Sequence, residues 1–368
     1  MAAPAKSAPK PEEAWHPARL IPTTGIGGAR EQEERATSSL LAVMHAVPEF
    51  GRALLVLAGA PAGRIRTFIE VYIKDVDNGT TSIPDGAILV EKGQTRWCAL
   101  VEVKTGGNPL SKEQVERYLD LARVNAFDAV ITISNDITSG PMVSPLNVDV
   151  RKARKVDLRH LSWFQVTTEA VLQHRHRKLS DPDQAWLLGE LIAYLENDKS
   201  GAGGFEDMGD QWVTVREEAR SRTLNANSKG ARDVAKRWEQ FAEHLSMILE
   251  QDLGHDVSVV WPKKVEPAVR LDQAVRRLVD DGCLVTSIKV PNAVAPIDIE
   301  VNLRTKEVTT SATLTAPREG RPATRIKWLL RQLKDAPPAL RISVRYPHTS
   351  DRPSILLRDA DKASQNLL

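Results

Sequence analysis

Apolar residues recur every three or four positions in several long stretches of this chain, which is the spacing of one face of an α-helix. The stretches are residues 30–46, 111–125, 160–197, 229–253 and 323–335, and one more helix is expected to end near Gly282. Ser111 stands where an N-cap is needed, and Gly254 follows the fourth stretch as a stop signal. The pattern therefore predicts helices along the whole chain.

Between these helices lie short runs that are rich in β-branched and aromatic residues, which predicts β-strands. In the first part of the chain they are residues 65–73, 84–90, 97–104 and 127–135. In the last part they are residues 256–261, 284–290, 297–303, 307–315 and 339–346. The polar turn at residues 91–94 predicts that its two flanking strands form a hairpin. The order helix, strands, helix, strand over the first 150 or so residues predicts an α/β core.

The same pattern divides the chain into five parts. They are a disordered tail over residues 1–22, an α/β domain over 23–160, a helical extension over 161–197, a linker over 198–212 and an α+β domain over 213–368. The linker is assigned because its glycines and polar residues offer little to pack.

The composition is that of a soluble globular protein. The chain has 368 residues, of which 42% are hydrophobic and 27% are charged. No apolar run is long enough to cross a membrane, and the first residues lack the apolar segment of a secretory signal. Its two cysteines, Cys98 and Cys283, are far apart and form no metal-binding pair. We therefore expect a cytoplasmic protein with no membrane partner.

Charge is balanced over the chain but not along it. The net charge is +2, yet residues 151–178 hold eight Lys and Arg against two acidic residues, and residues 318–345 repeat that imbalance. Basic stretches of this size suit a phosphate backbone, and they are equally typical of a solvated face whose charge is balanced elsewhere.

Charged residues also interrupt one of the apolar strands. Glu102 and Lys104 are two positions apart in the strand 97–104, so they point to the same side while Val103 faces the core. Asp85 begins the other strand of the hairpin, so pairing can bring its carboxylate beside Glu102. Two carboxylates and the Val103 carbonyl form a hard oxygen site for Mg²⁺ or Mn²⁺. The simpler interpretation is a half-exposed strand on which Glu102 and Lys104 form an ordinary ion pair.

Over residues 30–135, these positions resemble the PD-(D/E)xK nuclease superfamily, and within it the RecB-like branch. The matching motifs are Pro84-Asp85, Glu102-x-Lys104 and Gln114-x-x-x-Tyr118. The resemblance implies the restriction-endonuclease-like αβββαβ core for the domain at 23–160.

The resemblance also implies roles for these residues. Asp85 and Glu102 would be metal ligands and Lys104 the catalytic lysine, while Gln114 and Tyr118 would support the site or contact DNA. A further acidic residue that faces the metal, and completes or orients its ligand shell, is expected on the first helix, where Glu33 and Glu34 are the candidates. The helical wheel favours Glu33.

The sequence thus predicts a divalent-metal-dependent nuclease that hydrolyses DNA, single- or double-stranded, in repair or in defence against foreign DNA. A homodimer would suit the cleavage of two strands, because one such site hydrolyses one bond at a time. The C-terminal domain is expected to bind nucleic acid or a partner. The alternatives are a non-catalytic nucleic-acid-binding or scaffold protein that keeps the nuclease fold, and an enzyme that acts on RNA.

Overall fold

The computed structural model describes residues 20–21, 27–74, 81–140, 143–149, 151–315, 319–343 and 354–359. Almost all of the predicted tail therefore lies outside the described residues. The helices are α1 (Ala29–Ala46), α2 (Pro48–Leu57), α3 (Lys112–Val124), α4 (Trp163–Val171), α5 (Pro182–Leu195), α6 (Trp212–Ser221), α7 (Lys229–Leu253), α8 (Pro267–Asp281) and α9 (Pro322–Gln332). The strands of the first half are β1 (Arg64–Ile69), β2 (Ile73–Lys74), β3 (Thr81–Ser82), β4 (Gly86–Lys92), β5 (Thr95–Val103), β6 (Ala129–Ser134) and β7 (Asp157–Ser162). Those of the second half are β8 (Ser258–Val259), β9 (Cys283–Lys289), β10 (Ile297–Asn302), β11 (Glu307–Ala312), β12 (Arg341–Ser343) and β13 (Ser354–Leu356).

A five-stranded mixed sheet forms the core of the first half, in the order β1-β4-β5-β6-β7. The pairs β1–β4 and β4–β5 are antiparallel, whereas β5–β6 and β6–β7 are parallel. All six residues of β6 are buried, as expected for a strand between two parallel neighbours that is covered on both faces. The prediction of an α/β protein is confirmed at this level.

The two faces of this sheet are covered by different helices. Val101 and Val103 of β5 share a hydrophobic cluster with α1, α2, α4 and α5. Leu100, one position away, belongs to a second cluster with Leu119 and Tyr118 of α3. Because side chains alternate along a strand, residue 102 faces the α3 side of the sheet.

A four-stranded sheet in the order β11-β10-β9-β8 follows. Its buried residues pack with α6, α7 and α8 in a cluster that includes Val234, Trp238 and Leu278. Residues from 312 onward form a separate compact unit, which contains α9 and the pair β12–β13. The chain therefore divides after residue 311, not at the predicted linker.

The predicted linker packs closely against its surroundings. Residues 198–200 form a 3₁₀ turn, and Gly201 accepts a hydrogen bond from the Gly106 amide at 2.8 Å. A Cβ on Gly204 would lie 2.7 Å from His244 Cε1 and 2.9 Å from Phe164 Cδ2. Gly204 therefore lies close to side chains of both α4 and α7, where a larger residue would not fit without a shift. The glycine that suggested flexibility serves close packing at this position.

Other elements also differ from the sequence-based prediction, among them β7, α2 and the unpredicted helix α6. Residues 157–162 form the edge strand β7, which pairs in parallel with β6. The helical region that was predicted from residue 160 therefore begins later, with α4 at Trp163. Residues 48–57 form the unpredicted α2, which Pro48 opens at the first helical turn. In the part of the chain that is described, no single helix is long and apolar enough to cross a membrane; α1 and α2 pass that test only as a pair, bent by 112°.

Candidate active site

Strand pairing brings Asp85 beside Glu102. Gly86 pairs with Val101 across the β4–β5 hairpin, so the next residue outward on one strand is Asp85 and on the other is Glu102. The Val103 amide donates a hydrogen bond of 2.7 Å to Asp85 Oδ2. This bond holds the Asp85 carboxylate against the Val103 peptide. The site lies at the carboxyl end of β5, the usual position of ligand sites in sheets with parallel strands.

Glu102 is the most deeply buried charged group of this site. Its side chain is 1% exposed, and Oε1 lies 2.8 Å from Lys104 Nζ. Neither of its oxygens accepts a hydrogen bond of regular geometry from a described residue. A buried carboxylate of this kind is costly unless a proton or a cation compensates its charge.

Burial and a like charge together shift the titration of the carboxyl groups. Burial raises the pKa of Glu102 to about 7, and the negative charge of Asp85 adds to the effect, while the Lys104 ammonium opposes it. Burial also raises the pKa of Asp85, against the Val103 amide and Lys104. Burial alone would lower the pKa of Lys104, but the close ion pair with Glu102, helped by the charges of Asp85 and Glu33, raises it. Lys104 is therefore an ammonium donor and not a general base.

Glu33 of α1 completes the surroundings of Lys104. Its Oε2 lies 3.3 Å from Lys104 Nζ, and its Oε1 accepts a hydrogen bond of 2.7 Å from Asn108. Both Glu33 and Lys104 have side chains that are 15% exposed. Glu34 does not reach the site, because its side chain is 59% exposed and forms an ion pair with Arg30 one helical turn earlier. Of the two predicted candidates, the structure brings only Glu33 to Lys104.

Gln114 and Tyr118 lie on one face of α3 and close the other side of the site. Gln114 Nε2 donates to the Tyr118 hydroxyl at 3.3 Å, and this hydroxyl is 3.5 Å from the Ile83 carbonyl oxygen. Burial raises the pKa of Tyr118, and the charges of Glu102 and Asp85 add to this shift. Tyr118 thus lies near both carboxylates and contacts the segment that leads to Asp85.

The loop after β5 is anchored by residues that the sequence analysis did not single out. Trp163 Nε1 donates to the Lys104 carbonyl at 2.9 Å. Asn135 Nδ2 donates to the carbonyl oxygens of Gly106 and Gly201, and its Oδ1 accepts from the Gly203 amide. Asn135 directly follows the buried strand β6. This position could have identified it from the sequence, because polar residues in the loops at strand ends often belong to functional sites.

The donor set fits a divalent cation held by two carboxylates. Asp85 and Glu102 supply hard oxygen donors, and Glu102 has oxygens without a regular hydrogen-bond donor. Among the described residues, no group of three or more His, Cys, Asp or Glu side chains is arranged to hold a metal. Mg²⁺ commonly binds through one or two carboxylates and keeps several waters, so the pair suffices. Glu33 is directed to Lys104 and Asn108, which makes it a partner of the lysine.

No protein-family model matches this chain, and a search of curated proteins finds no match.

Proposed function

We propose that this protein is a divalent-metal-dependent nuclease of the PD-(D/E)xK type that hydrolyses DNA phosphodiester bonds. The observation that carries the proposal is the convergence of Asp85, Glu102 and Lys104 at the carboxyl end of β5, in a buried environment. A purely structural strand gains little from two carboxylates so close together, because each raises the cost of charging the other.

The order of the elements supports the same proposal. When α2 and the short pair β2–β3 are set aside, α1, β1, β4, β5, α3 and β6 follow one another as helix, three antiparallel strands, helix and parallel strand. This is the αβββαβ order that the resemblance implies. The Gln114–Tyr118 pair lies on the helix that follows the lysine strand, where the RecB-like motif would place it.

Each residue would have a definite role in the reaction. Asp85 and Glu102, with the adjacent Val103 carbonyl, would hold Mg²⁺ or Mn²⁺. When bound, the cation supplies a Lewis acid that polarises the phosphoryl oxygen and lowers the pKa of a water. Lys104 remains protonated and donates to the developing negative charge or orients the attacking water. Glu33, itself fixed by Asn108, keeps the Lys104 ammonium at this position.

The proposal is tested by cleavage of supercoiled, linear and single-stranded DNA and of RNA in Mg²⁺, Mn²⁺ or EDTA. We expect metal-dependent cleavage of DNA that Asp85→Asn and Lys104→Met each reduce by at least about 100-fold. Glu33→Gln is expected to reduce the rate as well, whereas the neighbouring Glu34→Gln should leave it unchanged. Folded wild-type protein that cuts none of these substrates, or equal rates in the two glutamine variants, would contradict the proposal.

One observation favours the second candidate, a non-catalytic nucleic-acid-binding or scaffold protein. Lys104 already bridges Glu33 and Glu102, which compensates part of the buried charge without a metal. This candidate predicts nucleic-acid binding without cleavage and a melting temperature that Mg²⁺ does not change.

A further inference from the structure

The second compact unit carries the whole net positive charge of the chain. Residues 312–368 contain eleven Lys and Arg against five Asp and Glu, whereas residues 1–311 contain 39 against 43. A local excess of this kind attracts polyanions even when the total charge of a protein is near zero.

The cations of α9 and its N-cap are concentrated, and no described acidic residue forms an ion pair with them. Arg321, Arg325, Lys327 and Arg331 are exposed, and none forms an ion pair with a residue that the structure describes. Three of them line one cavity of about 370 Å³, together with Trp328, Thr324 and a single acidic residue, Glu319. We call this set of six residues, Glu319, Thr324, Arg325, Lys327, Trp328 and Arg331, the α9 surface.

The other basic stretch of the chain behaves differently. Within residues 151–178, five of the eight basic residues form ion pairs with acidic neighbours: Arg151, Lys152, Arg159, Arg175 and Arg177. Their charge is largely balanced within the protein. In the first stretch the exposed neighbours Arg154 and Lys155 form no ion pair among the described residues, whereas the α9 surface brings three such cations to one cavity.

We propose that the α9 surface binds the phosphate backbone of a nucleic acid. Arginine guanidinium groups form paired hydrogen bonds with phosphate oxygens, and three cations that line one cavity can contact successive phosphates of a backbone. The choice of a nucleic acid over other polyanions rests on the proposed function. The positive charge of the α9 surface is independent of the proposed function.

An anionic membrane is the competing partner for a basic helix. A helix that lies on a bilayer needs large exposed apolar side chains next to its cations. The apolar residues of α9 whose side chains are described, Trp328, Leu329 and Leu330, are half-buried, and none is exposed. The α9 surface therefore fits an electrostatic, phosphate-binding role better than membrane insertion.

The test compares two triple variants of the full chain with equal changes of charge. The first replaces Arg325, Lys327 and Arg331 by Gln; the control replaces the exposed Arg276, Arg277 and Lys289 by Gln in the first unit. Binding of labelled single-stranded and duplex DNA is measured by fluorescence anisotropy in EDTA over a range of salt concentrations. Circular dichroism melts establish that both variants are folded.

We expect the first variant to bind DNA at least about tenfold more weakly than the wild type. The slope of log K against log salt concentration should fall in magnitude by roughly two to three, because up to three phosphate contacts disappear. The control should stay within about twofold of the wild type. Equal losses in the two variants, or no loss on either DNA, would overturn the proposal. So would loss of binding to phosphatidylserine vesicles with unchanged DNA binding.

This result is independent of the nuclease proposal. Binding is measured without metal and with Asp85, Glu102 and Lys104 intact. If the α9 variant binds DNA as well as the wild type does, the test of metal-dependent cleavage is unaffected. If the wild type cuts no DNA, the binding measurements still test the α9 surface.

Discussion

At the scale of single residues, Glu102 sets the chemistry of the candidate site. Its position is readable from the sequence, because a charged residue interrupts an apolar strand. Its partners are not readable to the same degree, since they depend on the β4–β5 register and on which face of α1 meets the sheet edge. Burial separates Glu33 from Glu34 in the structure, because Glu33 lies beside Lys104 whereas Glu34 is exposed and pairs with Arg30.

The pKa of Glu102 predicts how metal affinity depends on pH. Because burial raises this pKa to about 7, protons compete with Mg²⁺ for the carboxyl group below that pH. We expect Mg²⁺ to raise the melting temperature of the wild type at pH 8 and to do so progressively less at pH 6 and 5. Thermal melts with and without Mg²⁺ measure this shift.

Without metal, the raised pKa of Glu102 makes the fold less stable as the pH rises, which is opposite to the pH dependence of the Mg²⁺ effect and gives a second test. A raised pKa in the folded state stabilises the fold fully below the ordinary value of 4.5, and this contribution is lost as the pH rises through about 7. In EDTA, the wild type should therefore lose stability as the pH rises from 4.5 to about 7, in part because Glu102 becomes charged. Glu102→Gln cannot ionise and should lack that part of the loss, while Glu34→Gln should keep it. A Mg²⁺-induced shift of equal size at pH 5 and pH 8 would contradict the assignment of Glu102 as a ligand.

At the scale of elements, the predictions hold where local signals and packing agree. Ser111 caps α3 through its hydroxyl, which accepts from the Gln114 amide, and α7 ends at Gly254 in a left-handed conformation. β7 was missed because four of the six residues in its sequence, DLRHLS, are polar. His160 is nevertheless buried there, and its ring nitrogens form hydrogen bonds with the Thr132 hydroxyl and the Asp136 carbonyl. Such compensation by tertiary contacts leaves no trace in local periodicity.

Asn135 provides the prediction at this scale. It joins the loop after β5 to residues 201–203 by three hydrogen bonds, so Asn135→Ala removes all three and takes from the half-buried Gly203 amide its side-chain acceptor. We expect a loss of about 1–3 kcal/mol in the free energy of unfolding, measured with urea. Exchange of the Gly203 amide hydrogen should also accelerate.

A matched control is Asn125→Ala, since Asn125 bonds only the Leu121 carbonyl of its own helix through its side chain. This variant should cost less than Asn135→Ala and leave exchange at Gly203 unchanged. Equal costs would show that Asn135 has no special role in holding the loop that follows Lys104.

At the scale of the whole molecule, the two larger sheets belong to one compact unit. Helices α4 and α7 are in contact, and Gln251 Nε2 donates to the Thr168 hydroxyl at 2.8 Å. The rings of Phe164 and His244 are 4.1 Å apart between centroids. The composition of residues 198–212 suggested a flexible joint, but composition alone does not reveal whether small residues allow motion or close packing.

This packing predicts that the two sheets unfold together. Hydrogen exchange, followed by mass spectrometry over a urea series, should give the same midpoint for peptides from β5 and from β9, because loss of either sheet removes the α4–α7 contact. The peptide that contains β12 belongs to the separate unit after residue 311, so it serves as an internal comparison and should have its own midpoint. Two distinct midpoints for β5 and β9 would instead support independent domains joined at residues 198–212. In that case, the hydrogen bonds of Asn135 and Gly201 would contribute less to stability than their geometry indicates.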